Sequence, residues 1–187
     1  MKRQLERTFL LTLVIVGALA VACGGSKKNA EEASSGESSA PGMMEEADQY
    51  MGQAGLALSE GKQEEALANY LAAAEVYDRD GSITVERAEA HFLAAGLAYE
   101  LAERKQAISE YDKAVEIYLR FKGNSRIKAA NALNNMGTIY KEMQNKARAL
   151  NCWHRALEIY KKAPPELQDK TNIAKIEQNI RDLEQGF

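Results

Sequence analysis

The sequence predicts an all-α protein built from three helical hairpins and one further helix. Its three prolines, Pro41, Pro164 and Pro165, leave the long interval between them free of helix-breaking residues. Within that interval apolar residues recur with the spacing of one helix face. The same small and aromatic residues also return three times at a period of 41 or 42 residues. A repeated pattern of this length indicates stacked supersecondary units rather than one irregular core.

Composition limits the class of partner. The chain has 187 residues, of which 45% are hydrophobic and 27% are charged, as is usual for one globular domain with appendages. Its formal net charge is −3, and the first 22 residues contribute a positive balance, so the rest is mildly acidic. This gives no electrostatic reason to expect nucleic acid as a partner.

The first 22 residues have the layout of a secretory signal peptide. Lys2, Arg3 and Arg7 form a positive start, and a nearly all-apolar stretch runs from Phe9 to Ala22. A membrane-spanning helix needs about 20 apolar residues, whereas the apolar region of a signal peptide needs roughly 7–15. We therefore predict that residues 1–22 are a cleavable signal.

The end of this segment, Ala20-Val21-Ala22-Cys23, resembles the processing box of bacterial lipoproteins. It departs from the usual pattern because alanine stands at position 20, where leucine is commonest, and Leu19 lies one position early. The resemblance implies that Cys23 becomes an acylated first residue carrying palmitate or a similar chain. Gly24 follows where aspartate commonly signals inner-membrane retention, so the periplasmic face of the outer membrane is favoured over the inner membrane. The alternatives are an ordinary thiol after a signal cleaved elsewhere, or an uncleaved anchor.

Residues 23–42 are predicted to be a disordered linker between the lipid and the domain at 43–187. The stretch is rich in Gly, Ser, Ala, Lys and Glu and has no apolar periodicity.

The three repeats are defined by five kinds of landmark residue, at boundaries of about 43–81, 82–123 and 124–163. Each has a first-helix glycine, a second-helix alanine, an aromatic residue four positions later, another alanine and a terminal tyrosine. In chain order these are Gly55, Gly96 and Gly137; Ala66, Ala107 and Ala149; Tyr70, Tyr111 and Trp153; Ala73, Ala114 and Ala156; and Tyr77, Tyr118 and Tyr160. The glycine-to-alanine interval is one residue shorter in the first two repeats, which predicts a tighter turn there.

The third repeat resembles a tetratricopeptide repeat (TPR). The small residue, tyrosine, alanine, aromatic residue and second alanine of that family fall on Gly137, Tyr140, Ala149, Trp153 and Ala156. A standard repeat has about 34 residues, so the longer period here is similar to the long-helix arrays of kinesin light chains. The resemblance implies a short right-handed solenoid.

We predict helices at about 43–59, 63–78, 83–102, 104–121, 126–143 and 146–162. Gly81 and Gly123 are expected to stop helices, and Ser82 and Ser125 to cap the helices that follow. A last amphipathic segment, residues 166–185, has no second half and is predicted to cap the array.

No constellation of residues points to catalysis, a cofactor or a metal. His91 and His154 lie in different repeats and are expected to be partly exposed, and no third or fourth ligand has zinc-site spacing. Cys152 and His154 are two residues apart and point to different sides of a helix, so Cys152 is expected to pack as a small core residue.

The resemblance implies a concave groove, lined by the first helices, that holds an extended or helical segment of another protein. By register, the groove residues would include Leu93 and Leu97 as apolar anchors and Asn131, Asn134, Thr138 and Lys141 as polar contacts. The same register also places Gln49, Leu56, Ser59, Ala90 and Glu100 on the groove. Asparagine suits such a site because its amide both donates to and accepts from a peptide backbone.

These signals predict an envelope lipoprotein that acts as an adaptor or assembly factor. In architecture it resembles the TPR lipoproteins that serve as pilotins for secretins or as adaptors for envelope enzymes. The competing hypotheses are a self-associating structural lipoprotein with no peptide ligand, and an enzyme, which the missing catalytic constellation disfavours.

Overall fold

A computed structural model describes residues 41–186 of the chain. The predicted signal peptide, Cys23 and most of the predicted linker lie outside this part. The described residues belong to one compact unit. Its helices, in chain order, are α1 (Pro41–Ser59), α2 (Gln63–Asp80), α3 (Val85–Glu100), α4 (Arg104–Tyr118), α5 (Asn124–Glu142), α6 (Lys146–Lys162) and α7 (Lys170–Gln185).

The helices form three hairpins in sequence order. The hairpins α1–α2, α3–α4 and α5–α6 pack one after another through α2 against α3 and α4 against α5, and α7 packs on α6. We call the contact between the first two hairpins the first seam, and that between the last two the second seam. Among residues 41–186 no strand occurs, so the all-α prediction is confirmed. None of the helices described is both long and apolar enough to cross a membrane.

Most helix ends differ from their predicted positions by one to four residues, and the differences at the start of α1 and at the start of α7 affect the predicted linker and cap. Helix α1 begins at Pro41, so the last two residues of the predicted linker are helical. The predicted capping helix begins at Lys170 rather than at residue 166, because the Pro165–Leu167 segment forms a separate 3-10 turn. Asp169 then caps α7, since its carboxylate accepts a hydrogen bond from the Asn172 amide at 3.0 Å.

The three hairpin turns have the same length, so the prediction of tighter turns in the first two repeats is wrong. Three residues separate the helices in each hairpin. The middle residue of each turn, Gly61, Ala102 or Gln144, has a left-handed backbone with φ between 58° and 75°. The following amide donates to a carbonyl five residues earlier in each case, as in Glu103 N to Ala98 O at 2.7 Å.

These equivalent turns shift the alignment of the first helices by one residue. Counted back from the turns, the residues that correspond to Gly137 are Ala54 and Ala95, whereas Gly55 and Gly96 correspond to Thr138. Ala54 and Ala95 are fully buried. Gly55 and Gly96 therefore lie one position after the buried small residue of their helices.

The helix-end predictions are only partly confirmed. Gly81 ends α2 in a left-handed conformation, with φ of 77°, as expected. The cap of α3 is Thr84 rather than Ser82, because the Thr84 hydroxyl accepts from the Arg87 amide at 3.1 Å. Helix α4 ends at Tyr118, before Gly123, and Ser125 lies inside α5.

The core follows the landmark residues of the repeats. The three terminal tyrosines, Trp153 and the second-helix alanines are buried between helices of the same and neighbouring hairpins. Helix α7 contributes Ile176 and Ile180, which are buried against α6. The predicted role of this last helix as a cover for the apolar end of the array agrees with that burial.

Candidate protein-binding surface

A hydrogen bond from each terminal tyrosine to the first helix of the same hairpin confirms the shifted register. Tyr77 donates to Asp48 at 2.8 Å and Tyr118 donates to Glu89 at 2.6 Å. Tyr160 donates to the Asn131 side-chain oxygen in the same way, and every pair is 29 residues apart. Burial raises the pKa of Tyr160 to about 12, so its hydroxyl remains a donor at neutral pH. The Asn131 oxygen is therefore engaged inside the hairpin.

Asn134 and Thr138 are half-buried on α5. The Asn134 backbone carbonyl accepts from Trp153 Nε1 at 3.2 Å and from the Thr138 hydroxyl at 3.3 Å. The side-chain oxygen of Asn134 is buried and has no partner in the part of the chain that the structure describes. An unpartnered buried acceptor costs free energy, so a structural reason for asparagine at this position is missing.

Leu97 lies in the core rather than on a groove surface, contrary to the prediction. Its side chain is only 7% exposed, and Ala90 is fully buried. Leu93 is half-buried and packs against the same core. The cause is the one-residue shift, since the residues of α3 that correspond to Asn134 and Lys141 are Phe92 and Tyr99.

Lys141 is exposed and lies beside α7. With Gln144, Lys146, Leu183 and Gly186 it lines a shallow cavity of about 410 Å³. The predicted binding role of Lys141, like that of Asn134 and Thr138, stays a prediction.

With the register corrected, one set of equivalent positions on the three first helices defines a candidate surface, which we call the first-helix surface. Helices α3 and α5 also contact each other directly, which brings two of its three parts together. Its members are Asp48, Met51 and Leu58 on α1, Glu89, Phe92 and Tyr99 on α3, and Asn131, Asn134 and Lys141 on α5. Its character changes along the array, from apolar and acidic at α1 and α3 to polar at α5.

His91 is buried, contrary to the expectation that it would be partly exposed. Its side chain is 1% exposed, and its two ring nitrogens face two carboxylates. Nδ1 lies 2.6 Å from Glu110 Oε2, and Nε2 lies 3.1 Å from Asp78 Oδ1. The imidazole therefore lies between two carboxylates that come from α2 and α4. The corrected register agrees with this burial, because the residue of α5 that corresponds to His91 is the buried Leu133.

Arg87 and Lys113 contact the same two carboxylates. Arg87 Nε donates to Asp78 at 2.8 Å, and Lys113 Nζ lies 3.2 Å from Glu110 and 4.0 Å from Asp78. Burial alone would raise the pKa of the Glu110 carboxyl, but the His91 hydrogen bond and the Lys113 charge hold that pKa below its ordinary value. Burial would also raise the pKa of the Asp78 carboxyl. The hydrogen bonds from His91 and Arg87 outweigh that effect, so the pKa of Asp78 lies below its ordinary value. The cluster joins α2 of the first hairpin to the second hairpin across the first seam.

The cluster offers no vacant position for a ligand, because both histidine nitrogens bond to carboxylates of the chain itself. Among residues 41–186 no group of histidine, cysteine or acidic side chains is arranged to hold a metal ion. Cys152 is buried, as expected for a packing residue, and that burial raises the pKa of its thiol. His154 is exposed on α6.

Comparisons with known proteins agree with this architecture. Residues 86–162, which span nearly all of α3 to α6, match the family described as Tetratricopeptide repeat. No curated protein matches the sequence.

Solved structures share the fold at low sequence identity. The crystal structure of BtubC (BKLC) from P. vanneervenii matches with a TM-score of 0.64 and 20% identity over 74% of this chain. The match spans 55% of the length of BtubC. The N-terminal domain of stress-induced protein-1 (STI-1) from C. elegans matches with a TM-score of 0.58 and 18% identity over 78% of this chain and 99% of that domain.

The class of protein follows from the hairpin order and these comparisons: the chain contains a tetratricopeptide-like helical-hairpin solenoid. The TPR match covers the second and third hairpins. The first hairpin shares their turn geometry and their tyrosine bond, although it lies outside the matched range.

Proposed function

We propose that this protein is a membrane-tethered adaptor or assembly factor of the bacterial cell envelope, with no catalytic activity of its own. The observation that carries the proposal is the tetratricopeptide-like solenoid, because stacked hairpins build an extended surface suited to a partner protein. Binding of another protein is the role that this fold supports in general. The membrane and envelope parts of the proposal rest on the signal-like sequence of residues 1–23.

In the proposed arrangement, acylated Cys23 holds the protein to a membrane, preferably the periplasmic face of the outer membrane. The linker then keeps the solenoid close to that membrane. Tethering raises the effective concentration of a weak binding surface for any partner in the same membrane, so modest affinity suffices. A pilotin-like role or an adaptor role for an envelope enzyme would use this effect.

We place partner binding on the first-helix surface, with Asn134 and Lys141 as its polar end. Asn134 supports this placement because the residue is only half-buried and its side-chain oxygen accepts no hydrogen bond within the described part of the chain, so the fold does not explain the amide there. Phe92 and Tyr99 replace Leu93 and Leu97 as the apolar portion. An extended or helical segment with a polar end toward α5 is the partner that this distribution favours.

Site-specific crosslinking in living cells tests the binding proposal. A photoreactive residue at position 134 should capture a defined partner, and Lys141→Glu in the same chain should reduce that capture severalfold. The matched control is a photoreactive residue at exposed position 175 on α7, which should not capture it. Equal capture at both positions would contradict binding at the first-helix surface.

Self-association is the second candidate function. Four large apolar side chains of the described chain are exposed, including Leu56 at 62% and Ile83 at 46%. Sedimentation of the purified protein distinguishes the two functions, since an adaptor is expected to remain monomeric. A stable oligomer that blocks crosslinking at position 134 would favour the structural role.

The membrane anchor is tested separately. In cells supplied with labelled palmitate, the protein should take up the label, and Cys23→Ser should abolish both the labelling and the membrane association. Membrane association that survives Cys23→Ser would show that the anchor was wrongly assigned.

A further inference from the structure

A basic cavity lies in the second seam, away from the first-helix surface. It has a volume of about 410 Å³ and is formed where the end of α4, the start of α5 and the second half of α6 meet. None of its lining residues belongs to the first-helix surface. Leu119, Ile127 and Ile159 form its apolar floor, and each is half-buried against the core.

Cations surround this floor. Arg126, Arg155 and Lys162 line the cavity with one carboxylate, Glu158. That carboxylate accepts from Lys162 Nζ at 2.6 Å. Within residues 41–186, neither guanidinium of the two arginines forms an ion pair. The cavity therefore has an excess of positive charge over an apolar floor.

Comparison with the first seam shows that Arg155 lacks carboxylate partners. Lys113 occupies the position in α4 that Arg155 has in α6, and it faces Glu110 at 3.2 Å and Asp78 at 4.0 Å. In the second seam the residues at those two acidic positions are Cys152 and Leu119. The cation is thus retained while both of its carboxylate partners are replaced. An external carboxylate would restore the pairing found inside the first seam.

We propose that the second-seam cavity binds an acidic segment of a partner protein, in which an apolar side chain is flanked by aspartate or glutamate. The apolar side chain contacts Leu119, Ile127 and Ile159, and the carboxylates pair with Arg155 and Arg126. Arginine favours this chemistry because its planar fork donates two parallel hydrogen bonds to one carboxylate. The cavity volume lies within the range of ligand sites, roughly 300–1,000 Å³.

The apolar floor decides between an acidic protein segment and an anionic membrane surface. Lipid headgroups would neutralise the arginines but would leave the floor between α4 and α6 unfilled. A peptide side chain satisfies the floor and the cations together. The site is independent of the proposed first-helix surface, so one binding event can fail while the other persists.

Peptide selection on the full chain tests the proposal. The chain is held in phosphatidylcholine nanodiscs and exposed to a peptide library with a fixed leucine or phenylalanine flanked by glutamates, beside a matched library with glutamines. We expect binders only from the acidic library. Arg155→Glu should weaken them about 30-fold or more, as for an interface hot spot, and Arg155→Gln should weaken them less.

The controls distinguish loss of the cavity site from a general charge effect, from unfolding and from binding at the first-helix surface. Lys175→Glu makes the same charge change on exposed α7 and should leave binding unchanged, as should Asn134→Glu on the first-helix surface. Circular dichroism should show that the Arg155 variants remain folded, as expected for an exposed side chain. The proposal is overturned if no acidic binder is selected, if the glutamine library binds equally, or if Arg155→Glu has no effect. It is also overturned if only separate phosphatidylglycerol vesicles bind in an Arg155-dependent manner.

Discussion

A Cβ atom at Gly137 would lie 2.4 Å from Nε1 of Trp153, in the same hairpin. Trp153 is fully buried, and its indole nitrogen bonds to the Asn134 carbonyl at 3.2 Å. The two earlier hairpins pair an alanine with a tyrosine at the same positions, Ala54 with Tyr70 and Ala95 with Tyr111. The larger ring of the third hairpin therefore requires the smaller partner.

We predict that Gly137→Ala destabilises the protein by up to about 2 kcal/mol. Overpacking costs typically 1–3 kcal/mol, and better helix propensity offsets about 1 kcal/mol of that. The free energy of urea unfolding measures the effect. Gly96→Ala is the matched control, because its nearest contact would be the Tyr111 hydroxyl at 3.6 Å, and it should stabilise by about 0.5–1 kcal/mol. Similar losses for both variants would contradict the size-matching explanation.

The sequence was sufficient to predict the helices and their pairing into hairpins, because apolar periodicity and landmark residues are local properties. The one-residue offset between the first helices could not be predicted from the sequence, because Gly96 and Gly137 both look like the small packing residue and only the turn geometry distinguishes them. For that reason the sequence pattern predicts Leu97 in the groove, whereas the residue packs in the core. The pairing of the His91 ring with Asp78 and Glu110 is not predictable locally, because it depends on contacts between three helices.

His91→Leu is expected to destabilise the protein by about 3 kcal/mol, although leucine is the residue found at the equivalent position of the third hairpin. The loss arises because the buried Glu110 carboxylate would lose its 2.6 Å contact with the His91 ring. The double variant His91→Leu/Glu110→Cys has the residue types of the second seam at these two positions and should be more stable than His91→Leu alone. Urea unfolding of the two single variants and the double variant gives the coupling energy. Purely additive effects would show that the pair does not act as a unit.

Stability should fall as the pH falls below about 5. The pKa values of Asp78 and Glu110 are lowered by folding, so the unfolded chain takes up their protons first, near pH 4. Their stabilising contribution is fully present above that range and is lost as pH drops through the lower folded-state pKa values. Glu110→Gln should flatten the pH dependence of the urea midpoint between pH 5 and pH 3. Glu116→Gln, at an exposed position of the same helix, should leave the slope unchanged.

Ala102→Gly should stabilise the protein by about 0.5–1 kcal/mol. Ala102 has a left-handed backbone with φ of 63°, where a residue with a Cβ atom loses about 1–2 kcal/mol and glycine does not. The first hairpin already has Gly61 at this position, and Gly61→Ala should destabilise by a comparable amount. Thermal unfolding of both variants checks the opposite signs. Destabilisation by Ala102→Gly would mean that the entropy of the unfolded chain outweighs the relieved strain.

The alanine variants of Asn131 and Asn134 should differ in stability, although the sequence predicts that both residues contact a peptide. Asn131→Ala should cost about 1 kcal/mol of stability, because the buried Tyr160 hydroxyl loses its acceptor, and Asn131→Asp should keep it. Asn134→Ala should cost no stability, because the side-chain oxygen that it removes is buried without a partner in the described chain. A half-buried residue whose amide oxygen the fold does not use is the better candidate for binding. Equal destabilisation by the two alanine variants would assign both asparagines to the fold and remove the structural support for Asn134 as the polar end of the binding surface.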